Sequence, residues 1–387
     1  MNEIVYLDHA ATTPLAPEAR IAMDPFLTHN YGNPSSIHAL GRRAREAADV
    51  ARDIVASALH CEYSEIAFTS GGTEADNLAI LGAMFAAPDD RRKLVISGME
   101  HHAILHSAHW LETMGFEVVI VPVNSSGKVE EDDLVSAVDK NTALVSIMHG
   151  NNEIGVVQDV PRFAAIAHAA GALFHTDAVQ TFGHLPLHVR GMDVDMLTMS
   201  AHKIYGPKGV GALYIKTGTR LQPMAMGGTQ ERERRAGTEN IAGIVGFGAA
   251  VIKSQSNREA ERLRLIQLKD WFVGQLLNRI PPSWINSGNS QSLPHIINFG
   301  IQGLDGATAL MALDRMGICA SSGAACSSGS IEPSHVLLAL GQNPEKASAG
   351  IRFSLGESNN QDQLEYVLGC LEKIAFQNNK SVKATAP

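Results

Sequence analysis

Residues 196–215 have the sequence MLTMSAHKIYGPKGVGALYI, in which two apolar runs, Met196–Ser200 and Ala212–Ile215, flank a glycine-rich polar segment. Short apolar runs bounded by turn residues are typical of buried β-strands. Lys203 follows the first run closely, where a dry environment would lower the pKa of its amine and make the amine reactive. A solvated loop lysine is the alternative that this segment alone leaves open.

The same alternation of strand and helix patterns extends over most of the chain. The predicted strands are Glu65–Thr69, Lys93–Ser97, Glu117–Pro122, Ala143–Met148, Leu173–Thr176, Met196–Ser200 and Ala212–Ile215. Helical patterns lie between them, such as Asp159–Ala170 with Pro161 near its first turn. Strands that alternate with helices need crossover connections, so the sequence predicts an α/β fold with a mostly parallel, doubly covered sheet.

A change of pattern near residue 250 indicates a second domain. A long helical stretch, Ala249–Ile280, begins there. The strands predicted beyond it follow a different spacing; they are His295–Phe299, Cys319–Ala320 and Ile351–Phe353. At 387 residues the chain is also too long for one small domain. We therefore predict a large domain at 14–255 and a smaller α+β domain made of 1–13 and 256–387.

Composition narrows the class of protein. The formal net charge is −9, from 31 basic and 40 acidic side chains, which argues against a broad nucleic-acid surface. The four cysteines form no CxxC pair, so we expect reduced thiols and no metal site. No apolar run reaches membrane-spanning length, and the N-terminus has no secretory pattern. These features predict a soluble, cytoplasmic protein that binds neither membranes nor nucleic acid.

Two segments at predicted strand ends could serve a phosphorylated, ring-containing cofactor. In Ser70–Thr73 (SGGT), Gly72 lets backbone amides approach an anion at a helix start, and the Thr73 hydroxyl adds a donor. Asp177 follows another strand, where a carboxylate could keep a pyridine nitrogen protonated, and Gln180 could donate to a ring oxygen. An ordinary turn at Ser70–Thr73 and a helix cap at Asp177 are the alternatives that remain open.

Cys326 lies among small residues in SSGAACSSGS, residues 321–330. Ordering such a stretch costs entropy and buries little surface, so we expect its thiol to move. The alternative is a buried turn in which the cysteine packs like alanine. The other three cysteines, Cys61, Cys319 and Cys370, are interpreted as structural.

Motifs that run nearly from end to end give the chain a resemblance to a known family. They are YLDHAATTP, GNPSSIHALGR, FTSGGTEADNLAI, EHHA, NNEIGVVQ, HTDAVQ, SAHKIYGPKGVGALY, RRAGTEN, LPHIINF, SSGAACSSGSIEPSHV and IRFSLG. The chain resembles the NifS- and IscS-like cysteine desulfurases, in the class V aminotransferase group of fold-type I pyridoxal phosphate enzymes. The resemblance implies the fold-type I architecture, a pyridoxal 5'-phosphate cofactor and L-cysteine as substrate.

The resemblance also implies a role for each candidate residue. Lys203 would bind the cofactor as a Schiff base, Asp177 would pair with the pyridine nitrogen and Gln180 would contact the ring oxygen. His101, rather than its neighbour His102, would stack on the ring and transfer protons. The remaining assignments are as follows: Gly72, Thr73, Ser200 and His202 at the phosphate, Asn152 at the cofactor and substrate, Arg352 at the substrate carboxylate, and Thr238 in the partner subunit's phosphate site of a homodimer.

Such an enzyme would convert L-cysteine to L-alanine and leave a persulfide on Cys326, because the Cys326 thiolate attacks the substrate sulfur. A sulfur-acceptor protein would then collect the sulfur for iron–sulfur cluster or other thio-cofactor synthesis. The alternatives are selenocysteine lysis or another class V reaction, a non-catalytic relative, and a specialised desulfurase for tRNA or DNA sulfur modification.

Overall fold

The computed structural model describes residues 4–286, 292–322 and 333–385, with side chains as far as Gln377. A seven-stranded sheet forms the centre of the larger of its two main hydrophobic cores. The strands are β1 (Val5–Tyr6), β2 (Ile66–Thr69), β3 (Lys93–Ser97), β4 (Glu117–Val121), β5 (Thr142–Ser146), β6 (Leu173–Asp177), β7 (Met196–Ser200), β8 (Gly211–Ile215), β9 (Ser283–Ile285), β10 (Ile296–Ile301), β11 (Ile318–Cys319) and β12 (Ile351–Ser354). The helices are α1 (Pro17–Thr28), α2 (Ala39–Leu59), α3 (Gly72–Ala86), α4 (His102–Thr113), α5 (Glu131–Ala137), α6 (Val160–Ala169), α7 (Val189–Met192), α8 (Ile241–Arg279), α9 (Gly306–Arg315), α10 (His335–Ala339), α11 (Pro344–Ser348) and α12 (Gln361–Thr385). No helix in these ranges is long and apolar enough to cross a membrane.

The strand order of the large sheet is β2-β8-β7-β6-β5-β3-β4. Only β8 runs against its neighbours, so the predicted mostly parallel α/β sheet is confirmed. The reversal follows from the short connection between β7 and β8, because a parallel return needs a crossover of a dozen or more residues. That connection carries Lys203 in a single 3₁₀ turn, Ala201–Lys203, at the carboxyl end of β7.

The predicted strand ends are largely confirmed. Lys93–Ser97 and Met196–Ser200 agree at both ends, and each of the other strands differs by at most two residues at one or both ends. Glu65, expected to start a strand, lies instead in a 3₁₀ turn, where its carboxylate accepts a hydrogen bond from the Thr217 amide at 2.9 Å.

The helix predicted to start at Ala249 begins earlier, at Ile241. Asn240 caps it by accepting a hydrogen bond from the Gly243 amide at 3.0 Å. Glycines in its first turns weaken the helical pattern in the sequence. They are needed because α1 and α2 come close, and a Cβ on Gly246 would lie 2.6 Å from the Met23 side chain.

Helix α8 contributes to two separate hydrophobic cores. Phe247 and Val251, in its first half, pack in the core around the large sheet. Phe272 and Leu276, near its end, pack with the antiparallel sheet β12-β10-β9 and with α12. The N-terminal segment joins the second core through β1, which pairs in parallel with β11. The domain boundary near residue 255 stays a prediction.

A buried ion pair fixes the loop that precedes α8. Both oxygens of Glu231 accept hydrogen bonds from Arg52 on α2, at 2.6 and 2.7 Å, and one also accepts from the Phe68 amide at 2.9 Å. Glu231, Arg232 and Glu233 all have positive φ angles, which cost about 1 kcal/mol or more per non-glycine residue. The ion pair offsets this cost and so holds the segment that leads to Thr238.

Replacing Arg52 with Ala should lower the free energy of unfolding by about 3–5 kcal/mol, because Glu231 would stay buried without its cation. Arg43→Ala, on the same helix, is the matched control: Arg43 is exposed, so its loss should cost less than about 1 kcal/mol. Denaturant unfolding measures both changes. Equal costs for the two variants would contradict the assignment.

Candidate active site

Lys203 lies at the carboxyl edge of the sheet, with its amine held by the N-terminal segment. Its Nζ donates to the backbone oxygens of Ala10 and Ala11 at 2.5 and 2.7 Å. Burial lowers the pKa of Lys203 to about 8; Arg352 lowers it further, and Asp177 opposes the shift. The lysine is therefore half-buried and hydrogen-bonded in place, unlike a freely solvated loop lysine.

Asp177 ends β6, the strand next to β7. Its Oδ1 accepts a hydrogen bond from the Val179 amide at 2.8 Å. Burial raises the pKa of Asp177 to about 6, while that amide and Lys203 pull it down. No helix starts directly after Asp177, so the alternative of a helix cap is wrong. Gln180 is buried nearby and donates to the Ala10 oxygen at 2.9 Å, the same oxygen that Lys203 contacts.

A cradle for an anion lies where α3 begins. Gly71 has φ 154° and ψ −177°, a conformation that is essentially restricted to glycine, and the first amides of α3 have no partner within the helix. A Cβ on Gly72 would lie 2.9 Å from Val179 and 3.7 Å from the Ser200 Cβ, so the helix start touches the ends of β6 and β7. Thr73 is exposed beside it.

Two further groups at this cradle suit a phosphate. The Ser200 hydroxyl is buried and has no hydrogen-bond partner among the described residues. His202 Nδ1 lies 3.1 Å from the Thr12 hydroxyl, and burial followed by Lys203 lowers the pKa of His202 to about 4. An unpartnered buried hydroxyl, free helix amides, a carboxylate and a desolvated amine together fit pyridoxal phosphate.

His101 caps α4 by accepting a hydrogen bond on Nδ1 from the Ala103 amide at 3.1 Å. In the neutral ring, Nε2 therefore carries the proton. Burial, then Lys203, lowers the pKa of His101 to about 4, so the ring is neutral at pH 7 and donates through Nε2. The ring of His102 instead lies 4.8 Å from that of His335, and its pKa is lowered by burial and by His335, with no influence from Lys203.

Arg352 on β12 is buried and already engaged. Its Nη2 donates to Asp8 at 2.8 Å, and its Nη1 donates to the backbone oxygen of Asn152 at 2.9 Å. The Arg352 Nε is buried with no partner among the described residues. Asp8 shows that this guanidinium binds a carboxylate, and any second carboxylate at Arg352 would have to share it with Asp8 or displace Asp8.

The N-terminal segment is the part of the site to which sequence reasoning assigned no role. Asp8 pairs with Arg352, the Ala10 and Ala11 oxygens hold Lys203, and the Thr13 amide donates to the His202 oxygen at 3.0 Å. Most of these contacts use backbone atoms, which carry no residue-specific signal. The motif YLDHAATTP was the available indication, because its small residues permit a close approach to the lysine.

Cys326 lies outside the described residues, but both segments that flank it are attached to the site. On one side, the Ser321 backbone pairs with that of Arg352, at 2.6 and 3.2 Å. On the other side, the Ser334 hydroxyl donates to the Glu153 carboxylate at 2.5 Å, and the His335 ring contacts the backbone oxygen of Glu100 at 3.0 Å. Thr238 is exposed on the loop that Glu231 fixes.

The three described cysteines are unpaired and lie in ordinary packing environments. Burial raises the pKa of Cys61 to about 12 and also raises that of Cys319, and Cys370 is buried in the second core. The raised pKa values of Cys61 and Cys319 and the burial of Cys370 agree with a structural role.

Comparison with known proteins gives matches along nearly the whole chain. The family model described as "Aminotransferase class-V" matches residues 5–367. A protein named cysteine desulfurase IscS from Dictyoglomus turgidum is 47% identical over 374 residues, which cover 97% of this chain and 95% of the relative. A protein of the same name from Methanosarcina thermophila is 44% identical and covers 96% and 92% of the two chains.

Solved structures give the same result. A structure described as a NifS-like protein has 34% identity and a TM-score of 0.90, covering 96% of this chain and 99% of its own. A structure described as SspA in complex with cysteine has 33% identity and a TM-score of 0.79, covering 91% and 98%.

The lowered pKa of Lys203 predicts how the amine captures an aldehyde. With a pKa of about 8, about a tenth of the amines are unprotonated at pH 7 and about nine-tenths at pH 9. The rate at which Lys203 forms an imine with pyridoxal phosphate, trapped with borohydride and located by peptide mass spectrometry, should rise about tenfold over that interval.

Lys216 is the control within the same chain, because its hydrogen bond to Asp193 raises its pKa. Its labelling should stay low throughout this pH range. A Lys203 rate that is flat between pH 7 and pH 9 would show that the amine is not desolvated as described.

Proposed function

The chain belongs to the class V aminotransferase family and is a pyridoxal-phosphate-dependent cysteine desulfurase, and from this premise we propose how its residues divide the reaction. The observation that carries the assignment is the pairing of a buried amine of lowered pKa, Lys203, with a buried carboxylate, Asp177, at neighbouring strand ends. A lysine nucleophile needs desolvation, and a pyridine nitrogen needs an acidic partner.

Bound pyridoxal phosphate supplies an electron-accepting ring that stabilises negative charge on the carbon beside the substrate amino group. Asp177 would hold a proton on the ring nitrogen, and Gln180 would donate to the ring oxygen. Ser200, His202, Thr73 and the amide of Gly72 would hold the phosphate, because unpartnered donors at a helix start attract anions.

Arg352 and Asn152 would orient the substrate. The Arg352 guanidinium would bind the cysteine carboxylate through parallel hydrogen bonds, in place of or beside Asp8. Asn152 is half-buried next to this guanidinium, and its backbone oxygen fixes the Arg352 Nη1. A substrate carboxylate bound at Arg352 would direct the amino group and Cα of the substrate toward Lys203.

Lys203 would take the proton from the substrate Cα once its amine is free. Its pKa of about 8 is suited to a base near neutral pH. The carbonyls of Ala10 and Ala11 would keep the amine at the site while it carries the proton. His101 would donate a hydrogen bond through Nε2, since its Nδ1 is occupied by the Ala103 amide.

Cys326 would accept the sulfur. Its thiolate forms a bond to the substrate sulfur while the bond between that sulfur and the substrate carbon breaks. The electron pair of the broken bond stays on the carbon, which takes up a proton, so the products are alanine and a Cys326 persulfide. The Arg352 backbone and Glu153 anchor the segments on either side of Cys326, which supports access of this thiol to the site.

We further propose that the persulfide is passed in the cytoplasm to an acceptor protein for iron–sulfur cluster assembly. The shared name of the relatives, cysteine desulfurase IscS, supports this destination. Unpaired thiols at Cys61, Cys319 and Cys370 are consistent with a reducing compartment.

Replacing Cys326 with Ala should lower cysteine-dependent release of sulfide and alanine by about 100-fold or more, because the sulfur loses its nucleophile. The variant should keep the absorbance of the bound cofactor, which separates loss of the thiol from loss of the site. Cys319→Ala is the matched control and should stay near wild type. Near-normal release by the Cys326→Ala protein would indicate selenocysteine lysis or another class V reaction instead.

We also propose a homodimer in which Thr238 completes the phosphate site of the partner subunit. The exposure of Thr238, which leaves its hydroxyl available to a neighbouring subunit, supports this role. Heterodimers that combine a Lys203→Ala subunit with a Thr238→Ala subunit, isolated with two affinity tags, test it. They should regain about half of the wild-type activity, because one of the two sites then has both residues.

Each parent homodimer is the control and should be nearly inactive, since neither has an intact site. Heterodimers as inactive as their parents would place Thr238 in the site of its own subunit. A fully active Thr238→Ala homodimer would remove Thr238 from the site altogether.

A further inference from the structure

A second carboxyl group is buried beneath Asp177, on the sheet face that α3 covers. Asp76 projects from α3 and has 1% of its surface exposed. His175 lies two residues before Asp177 on β6, on the same face of the sheet, and is fully buried. Thr198 on β7 and Ser146 on β5 complete this polar layer, and no role in the reaction has been given to any of the four.

Hydrogen bonds connect the layer in a line. His175 Nδ1 lies 2.8 Å from the Ser146 hydroxyl, and its Nε2 lies 3.0 Å from the Thr198 hydroxyl. The Thr198 hydroxyl also bonds Asp76. The other Asp76 oxygen, Oδ1, has no partner among the described residues and lies 3.8 Å from His175 Nε2.

This pattern fits a protonated Asp76 better than an ionised one. A buried carboxylate needs donors on its oxygens, and here one oxygen has none. If Asp76 carries a proton, it donates to Thr198, Thr198 donates to His175 Nε2, and His175 Nδ1–H donates to Ser146. In that arrangement His175 is neutral, as its burial requires, since burial lowers the pKa of His175 to about 3.

The surrounding charges favour the same assignment. Asp76 faces Asp177 and Glu100, and burial together with these two acids raises the pKa of Asp76 well above its usual value. Burial also raises the pKa of Glu100 to about 8. Asp177 is supported by the Val179 amide and by the cation of Lys203, whereas Glu100 accepts hydrogen bonds from neutral groups, the Ser97 hydroxyl and the Met148 amide. Two carboxyl groups this close and this dry cannot both ionise readily, so the better-supported one keeps the charge.

We propose that Asp76 is a positioning residue: it keeps the proton that the two carboxyl groups share, so that the negative charge stays on Asp177. The role rests on the proposed function of Asp177 toward the cofactor ring nitrogen. Asp76 touches neither cofactor nor substrate in this assignment. It acts through the charge and the hydrogen bonds of the layer below Asp177.

The test is the pH dependence of stability in the full-length, cofactor-free protein. A carboxyl group whose pKa is raised by folding destabilises the protein increasingly as the pH rises from its unfolded pKa to its folded pKa. The unfolding equilibrium constant of wild type, divided by that of Asp76→Asn, should therefore grow by up to about tenfold per pH unit above about pH 4. A ratio that does not change with pH would overturn the proposal.

Two further variants keep the test decisive. Asp195→Asn also removes a buried carboxylate, but at the opposite, amino-terminal edge of β7, and should show no such growth. Thr198→Val removes a hydroxyl that accepts from protonated Asp76 but would turn to donate to the ionised form; because a hydrogen bond to a charged group is the stronger one, its loss should let the pH-dependent loss of stability continue to a higher pH than in wild type. This second variant tests the proposal even if Asp76→Asn does not fold, and an unchanged profile in it would count against the proposal.

The absorbance of the loaded enzyme separates this proposal from the function itself. At neutral pH Asp177→Asn should alter the absorbance of bound pyridoxal phosphate, while Asp76→Asn should leave it as in wild type, because Asn mimics a protonated acid. If both variants shift the absorbance equally, the charge resides on Asp76 and the proposal fails. If Asp177→Asn has no effect, it is the proposed role of Asp177 that fails.

Discussion

The amine of Lys203 is held by two uncharged acceptors in a partly buried position, and the site is arranged around this constraint. The oxygens of Ala10 and Ala11 hold the amine without adding a negative charge. A carboxylate at that position would stabilise the ammonium form and raise the pKa of the lysine. The carbonyls can do this only because the N-terminal segment is itself fixed, through the pairing of β1 with β11 and through the 2.8 Å hydrogen bond from the Ala10 amide to the Ser354 hydroxyl.

Burial away from water also determines how the acidic groups of the site are charged. Four buried carboxyl groups, Asp76, Glu100, Glu153 and Asp177, surround a lysine and an arginine, and burial raises the pKa of each acid. Fully ionised, they would repel one another and any phosphate group bound nearby. Keeping some of them protonated lets the protein retain one useful negative charge, with hydrogen bonds rather than cations satisfying the rest.

Local sequence patterns predicted the strands of the large sheet well, because these strands are buried on both faces and therefore appear as short apolar runs. Lys203 and Asp177 could be identified as candidates since each follows such a run directly. The engagement of Arg352 by Asp8, and of Lys203 by backbone oxygens, could not be found in this way. These contacts join residues that are far apart in the chain. Every residue has a backbone acceptor, so the residue type does not indicate where such an acceptor is used.

The start of α8 illustrates a different limit. Its glycines weaken the helical pattern, and only the close packing of α1 and α2 against Gly246 and Gly248 explains them. The direction of the Asp177 side chain was also ambiguous in sequence, because a helix cap and a ring partner require the same residue type. Tertiary packing, rather than any local preference, decides between the two.

The contact between Ala10 and Ser354 joins positions that are 344 residues apart, so it links one segment with another that is synthesised much later. On the ribosome, the acceptors for Lys203 emerge early, yet they cannot be fixed until β11 and β12 have also emerged. A nascent or prematurely terminated chain therefore lacks a finished lysine site, however well its large sheet has formed. Capture of the cofactor by Lys203 would therefore follow the synthesis of β12 rather than that of the large sheet.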